Sequence, residues 1–147
     1  MGMFAHLVDS PTGIEGFRAL YHIPWGISLQ YCSPGEWLTH RKEKEVVIPM
    51  IAFIEGGMRL PIGNVTRDYL IAHRLCPHQC APNLFMVLGS VDTLNEQMGL
   101  NLTWHGIVWM YKCHLLANSG YYLKSRSSVV RLISCLPKST RVWKMTF

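Results

Sequence analysis

Acidic residues are missing from the last third of the chain. All nine Asp and Glu lie at or before Glu96. Residues 97–147 carry seven Lys/Arg and no acid, a balance of +7 against −2 for the residues before them. Charge of either sign is scarce, at 16% of 147 residues, where about 25% is usual. Hydrophobic residues make up 49%, so a largely disordered chain is excluded. Such a chain is also expected to be poorly soluble outside an assembly. Long apolar runs are missing too. The longest, Val46–Ile54, is half of the roughly 18 residues that a membrane-spanning helix needs. Met1–Ser10 has neither a basic start nor a long apolar core, so no signal peptide is expected. The five cysteines, Cys32, Cys76, Cys80, Cys113 and Cys135, are odd in number and irregularly spaced. That argues against a disulfide framework and for a reducing, intracellular compartment, with nucleus and cytoplasm both open.

What is present reads as one domain over residues 1–147, with no internal repeat. A chain of this length buries about 70% of its unfolded surface, enough for a core without staples. Ser10-Pro11-Thr12 followed by Ile14, Phe17, Leu20 and Tyr21 predicts a capped helix stopped by Pro24. Gly26–Tyr31 alternates and predicts a short strand. Ser33-Pro34-Gly35 reads as a turn and Arg41–Glu45 as an exposed charged loop. Val46–Gly57 is apolar nearly all round and predicts a buried helix stopped by Gly56-Gly57. Asn64 is placed to cap a helix carrying Val65, Tyr69, Leu70 and His73.

The clearest helix is Pro82–Met98. Proline suits its first turn, Leu84, Val87, Leu88, Val91, Leu94 and Met98 mark one face, and Gly99 supplies a left-handed stop. A further helix is expected from Thr103 through Leu115, on the spacing of Trp104, Ile107, Val108, Tyr111 and Leu115. Tyr121-Tyr122-Leu123, Val129–Cys135 and Arg141–Phe147 then read as strands separated by turns. The expected fold is α+β: a mainly helical body of about four helices with a short C-terminal antiparallel sheet. Phe147 falls in mid-strand, so a fragment truncated at its C-terminus is expected.

Three blocks of residues, in order, resemble one family. Phe53-Ile54-Glu55-Gly56-Gly57-Met58-Arg59-Leu60-Pro61 is similar to a Phe-started segment ending in G-x-R-x-P. Leu75-Cys76-Pro77-His78-Gln79-Cys80-Ala81-Pro82-Asn83 resembles an L-x-P-x-Q-L-x-P-N link into a helix. Gly120-Tyr121-Tyr122-Leu123, Leu136-Pro137-Lys138-Ser139, Trp143-Lys144 and Phe147 resemble a third, C-terminal block. Tyr21-His22-Ile23-Pro24 and Pro34-Gly35-Glu36 add to it. The family is the plant gypsy-type transposon domain, and the likeness covers residues 21–147, with residues 1–20 as a helical leader. It implies a gag-like, retrotransposon-derived domain with no catalytic residues to transfer. Two departures stand out. Cys80 replaces a leucine of the family pattern, and the chain stops at Phe147, where that pattern continues.

The chemistry-bearing residues are few. A transposase-type site needs carboxylates around two metal ions. Asp9, Asp68, Asp92 and Glu96 are the candidates, none of them on a predicted strand. Asp92 and Glu96 read as the solvated face of their helix. No nucleophile elbow or phosphate-binding glycine loop occurs. His73, Cys76, His78 and Cys80 place four soft ligands in eight residues, with Cys113-His114 further on. The Cys-x-His-x-Cys spacing matches no common zinc knuckle, so buried thiols are expected and neither metal nor cofactor is assigned. Tyr121, Tyr122 and Trp143 interleave with cations, an arrangement that stacks bases, but alternation puts Trp143 with Met145 and Phe147 on the core side.

The expected function is therefore non-enzymatic: self-association, binding of RNA or DNA, or both. Lys124, Arg126, Arg131, Lys138, Arg141 and Lys144 are the expected phosphate contacts. The alternative is a protein-interaction module using Val46–Ile54 and the strand after Pro137. A third reading is a degenerate nuclease or transposase remnant. No small-molecule substrate and no membrane partner are expected.

Overall fold

The computed structural model describes residues 4–32, 45–116 and 120–134. Among them are five α-helices and one two-stranded antiparallel sheet near the C-terminal end. The fold is α+β with a helical body, as the sequence predicts. The helices are α1 (Pro11–Leu20), α2 (Met50–Ile54), α3 (Asn64–Ala72), α4 (Pro82–Met98) and α5 (Trp104–Met110). The strands are β1 (Tyr111–Leu116) and β2 (Gly120–Ser125). Single 3-10 turns, Ala5–Leu7 and Pro77–Gln79, precede α1 and α4.

Helix α4 is the centre of the body and packs against α2, α3 and β2. Its range is the predicted one. Pro82 opens it without wasting an N–H, and Gly99, at φ +61°, closes it in the left-handed region. Leu84, Phe85, Val87, Leu88 and Val91 are buried on its inner side, whereas Met98 is exposed. Each such side chain stabilises the core by about 1.5–3 kcal/mol. Phe17, Phe53, Val65, Tyr69, Leu70, Ile107, Tyr111 and Leu123 complete one continuous cluster around it.

Helix α1 also forms as expected. The Ser10 hydroxyl accepts from the Gly13 N–H at 3.1 Å. It ends before Pro24, with His22 in the left-handed region and the Ile23 N–H donating to the Arg18 carbonyl at 2.9 Å. The strand expected at Gly26–Tyr31 does not form. Buried Arg18 donates to the carbonyls of Pro24 (2.6 Å) and Ile27 (2.7 Å). Its guanidinium lies 5.1 Å from the Trp25 ring. Wrapping around that cation keeps the segment irregular and takes the Ile27 carbonyl out of any ladder.

Other boundaries also move. The helix expected over Val46–Gly57 is only Met50–Ile54, because Pro49 cannot sit inside it and becomes its N-cap. Gly57, at φ +64°, does act in the stop. The helix expected through Leu115 ends at Met110 and the chain turns extended at Tyr111. From there alternation wins: Tyr111 and Leu123 are buried on the inner face of the hairpin, and Lys112 and Lys124 are exposed on the outer one. Residues 128–134 do not form the expected strand. The Ser127 hydroxyl accepts from the N–H groups of Val129 (3.1 Å) and Val130 (3.2 Å), and such local bonds compete with a ladder. The expected turn at Ser33-Pro34-Gly35, most of the Arg41–Glu45 loop and the Arg141–Phe147 strand lie outside the described residues.

Candidate nucleic-acid interface

The hairpin is anchored before it is charged. Register pairs Tyr111 with Ser125, Lys112 with Lys124, Cys113 with Leu123 and His114 with Tyr122. The free edge of β2 is held by the link into α4. The Ala81 N–H donates to the Tyr121 carbonyl at 2.7 Å, and Cys80 bridges Tyr121 in parallel. The Asn83 side chain then serves both groups of one residue, donating to the Leu123 carbonyl (2.7 Å) and accepting from its N–H (3.3 Å). The Cys80-Ala81-Pro82-Asn83 stretch thus extends the sheet edge with a side-chain amide.

The outer face presents cations. Lys112 and Lys124 are directly opposite and both exposed. Like charges in that position destabilise a strand pair, so an anion placed over them relieves the repulsion. Beyond Lys124, the Arg126 N–H donates to the Met110 carbonyl (2.9 Å) and its Nε to the Val108 carbonyl (3.0 Å). Those two bonds tie Arg126 to the end of α5, two residues beyond Lys124, and the residue is exposed. Arg131 is exposed as well. Of the six cations singled out in the sequence, Lys124, Arg126 and Arg131 are therefore solvent-facing. Lys138, Arg141 and Lys144 lie outside the described residues, as does Trp143.

The aromatics are distributed differently from the expectation. Tyr121 packs against the main core, and Tyr122 against Ile51 and Ala81 beside Phe4. Tyr122 also stacks on His114, with centroids 5.5 Å apart. Among the described residues two tryptophans are exposed, Trp25 (80%), which lies by the Arg18 guanidinium, and Trp109 (83%), which lies near the basic hairpin. Trp109 lies with Val108 and Arg126 against an open cavity of about 380 Å³. Sequence reasoning passed over Trp109 and did not place Lys112 among the contacts. Trp109 falls off the three-and-four spacing of the core face, and Lys112 emerges only from pairing the strands around their turn.

The candidate carboxylates do other work. Asp92 is not on a solvated face but caps α3 from α4. Its carboxylate accepts from the Val65 N–H (2.8 Å), the Thr66 N–H (3.1 Å) and the Thr66 hydroxyl (2.6 Å). The capping role predicted for Asn64 is thereby taken over, and Gly63 becomes the N-cap without a side-chain bond. A Cβ at Gly63 would run into the Asp92 carboxylate. Asp68 pairs with Arg67 on the surface at 2.9 Å, and Asp9 and Glu96 are exposed.

Cys76, Cys80 and Cys113 are neighbours, but not in a metal-binding arrangement. Among the described residues no three His, Cys, Asp or Glu side chains converge to hold a metal ion. His73 stacks on Tyr69 at 4.0 Å, meets the Trp104 edge at 5.5 Å, and donates from Nδ1 to the Tyr69 carbonyl at 2.9 Å. Cys80 is fully buried and donates to the Cys76 carbonyl at 3.4 Å. Burial, then the neighbouring Cys113 and Cys76, push its thiol up to about 12 from the ordinary 9.0. Burial also raises the Tyr69 hydroxyl, and the neighbouring Cys113 and Cys80 add to the shift.

Cys80 is accordingly expected to resist iodoacetamide at pH 8 in the folded chain and to react after unfolding, as peptide mass spectrometry would read. The raised thiol also sets a sign. Its stabilising contribution is complete below the unfolded value near 9.0 and is lost as pH climbs towards about 12. The slope is about 1.4 kcal/mol per pH unit in that window. Alkaline denaturation should therefore be shallower in Cys80→Ala.

No family model, curated protein or solved structure matches the chain. No helix among the described residues is long and apolar enough to cross a membrane.

Proposed function

We propose that the chain is a non-enzymatic, retroelement-derived domain that binds nucleic acid through the outer face of its basic hairpin. The observation that carries the reading is the Lys112–Lys124 pair, held directly opposite by the register and continued by Arg126. A rigid row of cations with no acid after Glu96 suits a polyanion whose charges repeat along a backbone. Neutralising phosphates releases counterions, so the affinity should fall steeply with salt. The gypsy-type resemblance is compatible with this role, and the use of Asp92 as a helix cap supports a binding rather than a cleaving domain.

One substitution separates binding from folding. Lys124→Glu replaces a cross-strand repulsion by an attraction, so stability should rise by up to about 1 kcal/mol. The same change should weaken binding to RNA and DNA oligonucleotides and flatten the salt slope by at least about 1. Electrophoretic or anisotropy titrations at several salt concentrations read the binding, and urea unfolding reads the stability. Unchanged affinity in a folded Lys124→Glu chain would sink the assignment.

Self-association is the second reading, favoured by Val129 and Val130, both exposed beside the hairpin. Within Val46–Ile54, Val46 is exposed, whereas Ile51, Ala52 and Phe53 are buried.

A further inference from the structure

We infer that the cavity beside Trp109 seats an unpaired base, so that the domain selects single-stranded nucleic acid over duplex. The inference rests on the proposed nucleic-acid binding and specifies what that surface recognises.

Trp109 projects from the short helix α5 with 83% of its surface exposed. Tryptophan is ordinarily well buried on average, and here it forms a wall of an open cavity of about 380 Å³ together with Val108 and Arg126. The guanidinium at that wall is fixed, not free. Its Nε is bound to the Val108 carbonyl at 3.0 Å, and its backbone N–H to the Met110 carbonyl at 2.9 Å. Its two terminal nitrogens make no hydrogen bond to any described residue, so they remain for a phosphate. Lys124 and Lys112 continue the row on the hairpin.

A flat aromatic face next to an oriented cation, in line with further cations, matches one repeating unit of a single strand. The base stacks on the indole, its phosphate meets the guanidinium, and the next phosphates meet the lysines. Duplex pairing conceals the base faces, so stacking discriminates against it. Charge separates this occupant from an ordinary protein partner, since no acid after Glu96 is available to balance these cations.

The test uses the full chain with oligo(dT), oligo(U), a DNA duplex of the same length, and phosphatidylserine vesicles. Both single strands should bind more tightly than the duplex and quench tryptophan fluorescence. Trp109→Ala should weaken single-strand binding by about 5-fold to 150-fold while leaving the duplex affinity and the salt slope unchanged. Trp109→Phe should restore much of the loss, because a smaller ring still stacks. The exposed position of Trp109 keeps both variants foldable. Single-strand binding that is unaltered in Trp109→Ala, with its salt dependence intact, overturns base stacking and leaves the electrostatic reading standing. Quenching by vesicles and not by oligonucleotides overturns it in favour of a membrane surface. Salt-sensitive binding to neither single strand nor duplex overturns the proposed function and this inference with it.

Discussion

Asp92→Ala is expected to destabilise the fold by about 2–3 kcal/mol, the scale of hydrogen bonds to a charged group. The carboxylate serves three donors at the start of α3, and no other side chain caps that helix. Its removal leaves the Val65 and Thr66 N–H groups and the Thr66 hydroxyl unpaired, and both residues are buried. Asp92→Asn should lose less, because the amide keeps one accepting oxygen in place. Gly63→Ala should act through the same contact, since the added methyl displaces the carboxylate. Combining Gly63→Ala with Asp92→Ala should then cost less than the two losses added together, which a double-mutant cycle in urea would read. Stability unchanged in Asp92→Ala would free this carboxylate from its capping role.

Phe85→Ala should have the larger effect, about 3–5 kcal/mol. Phe85 is 1% exposed on α4, the helix that contacts α2, α3 and β2 together. Truncation there leaves a void between elements that cannot all close on it at once. A domain of this kind has about 5–15 kcal/mol in total, so the variant should sit near its unfolding threshold. The urea midpoint should fall with little change in slope, because the same surface is exposed on unfolding. A loss under about 1 kcal/mol would mean that the α4 packing described above is not the centre of the core.

Local signals were legible in the sequence wherever one residue decides them. Ser10 caps α1, Pro82 opens α4, and Gly99 closes it, because each acts on its own backbone neighbourhood. Three of the signals that failed were overridden from a distance or by a nearby proline. Asn64 had the composition of a cap, but Asp92 reached the same N–H groups from another helix. Gly26–Tyr31 alternates like a strand, but the buried Arg18 binds the Ile27 carbonyl and the Pro24 carbonyl before it. Pro49 cut short a helix whose apolar run suggested twice the length.

The site was legible in part for the same reason. The excess of cations after Glu96 is a property of composition and needs no structure. The Lys112–Lys124 opposition is a property of register, hidden because Tyr111 and Leu115 also fit the spacing of a helix. Tyr121 and Tyr122 carried the aromatic signal in the sequence, yet both are packed. Trp109 carries it in the fold because α5 stops one residue later and leaves the indole outside.

The most direct measurement is the affinity of the purified chain for a labelled oligo(dT) across a salt titration. Four exposed cations, Lys112, Lys124, Arg126 and Arg131, lie on or just after the hairpin. With four to six phosphates neutralised, the logarithm of the binding constant should fall with that of salt with a slope of about −3 to −4. A folded chain whose binding is absent, or flat across that titration, would contradict the account and reduce the basic hairpin to a solvated face.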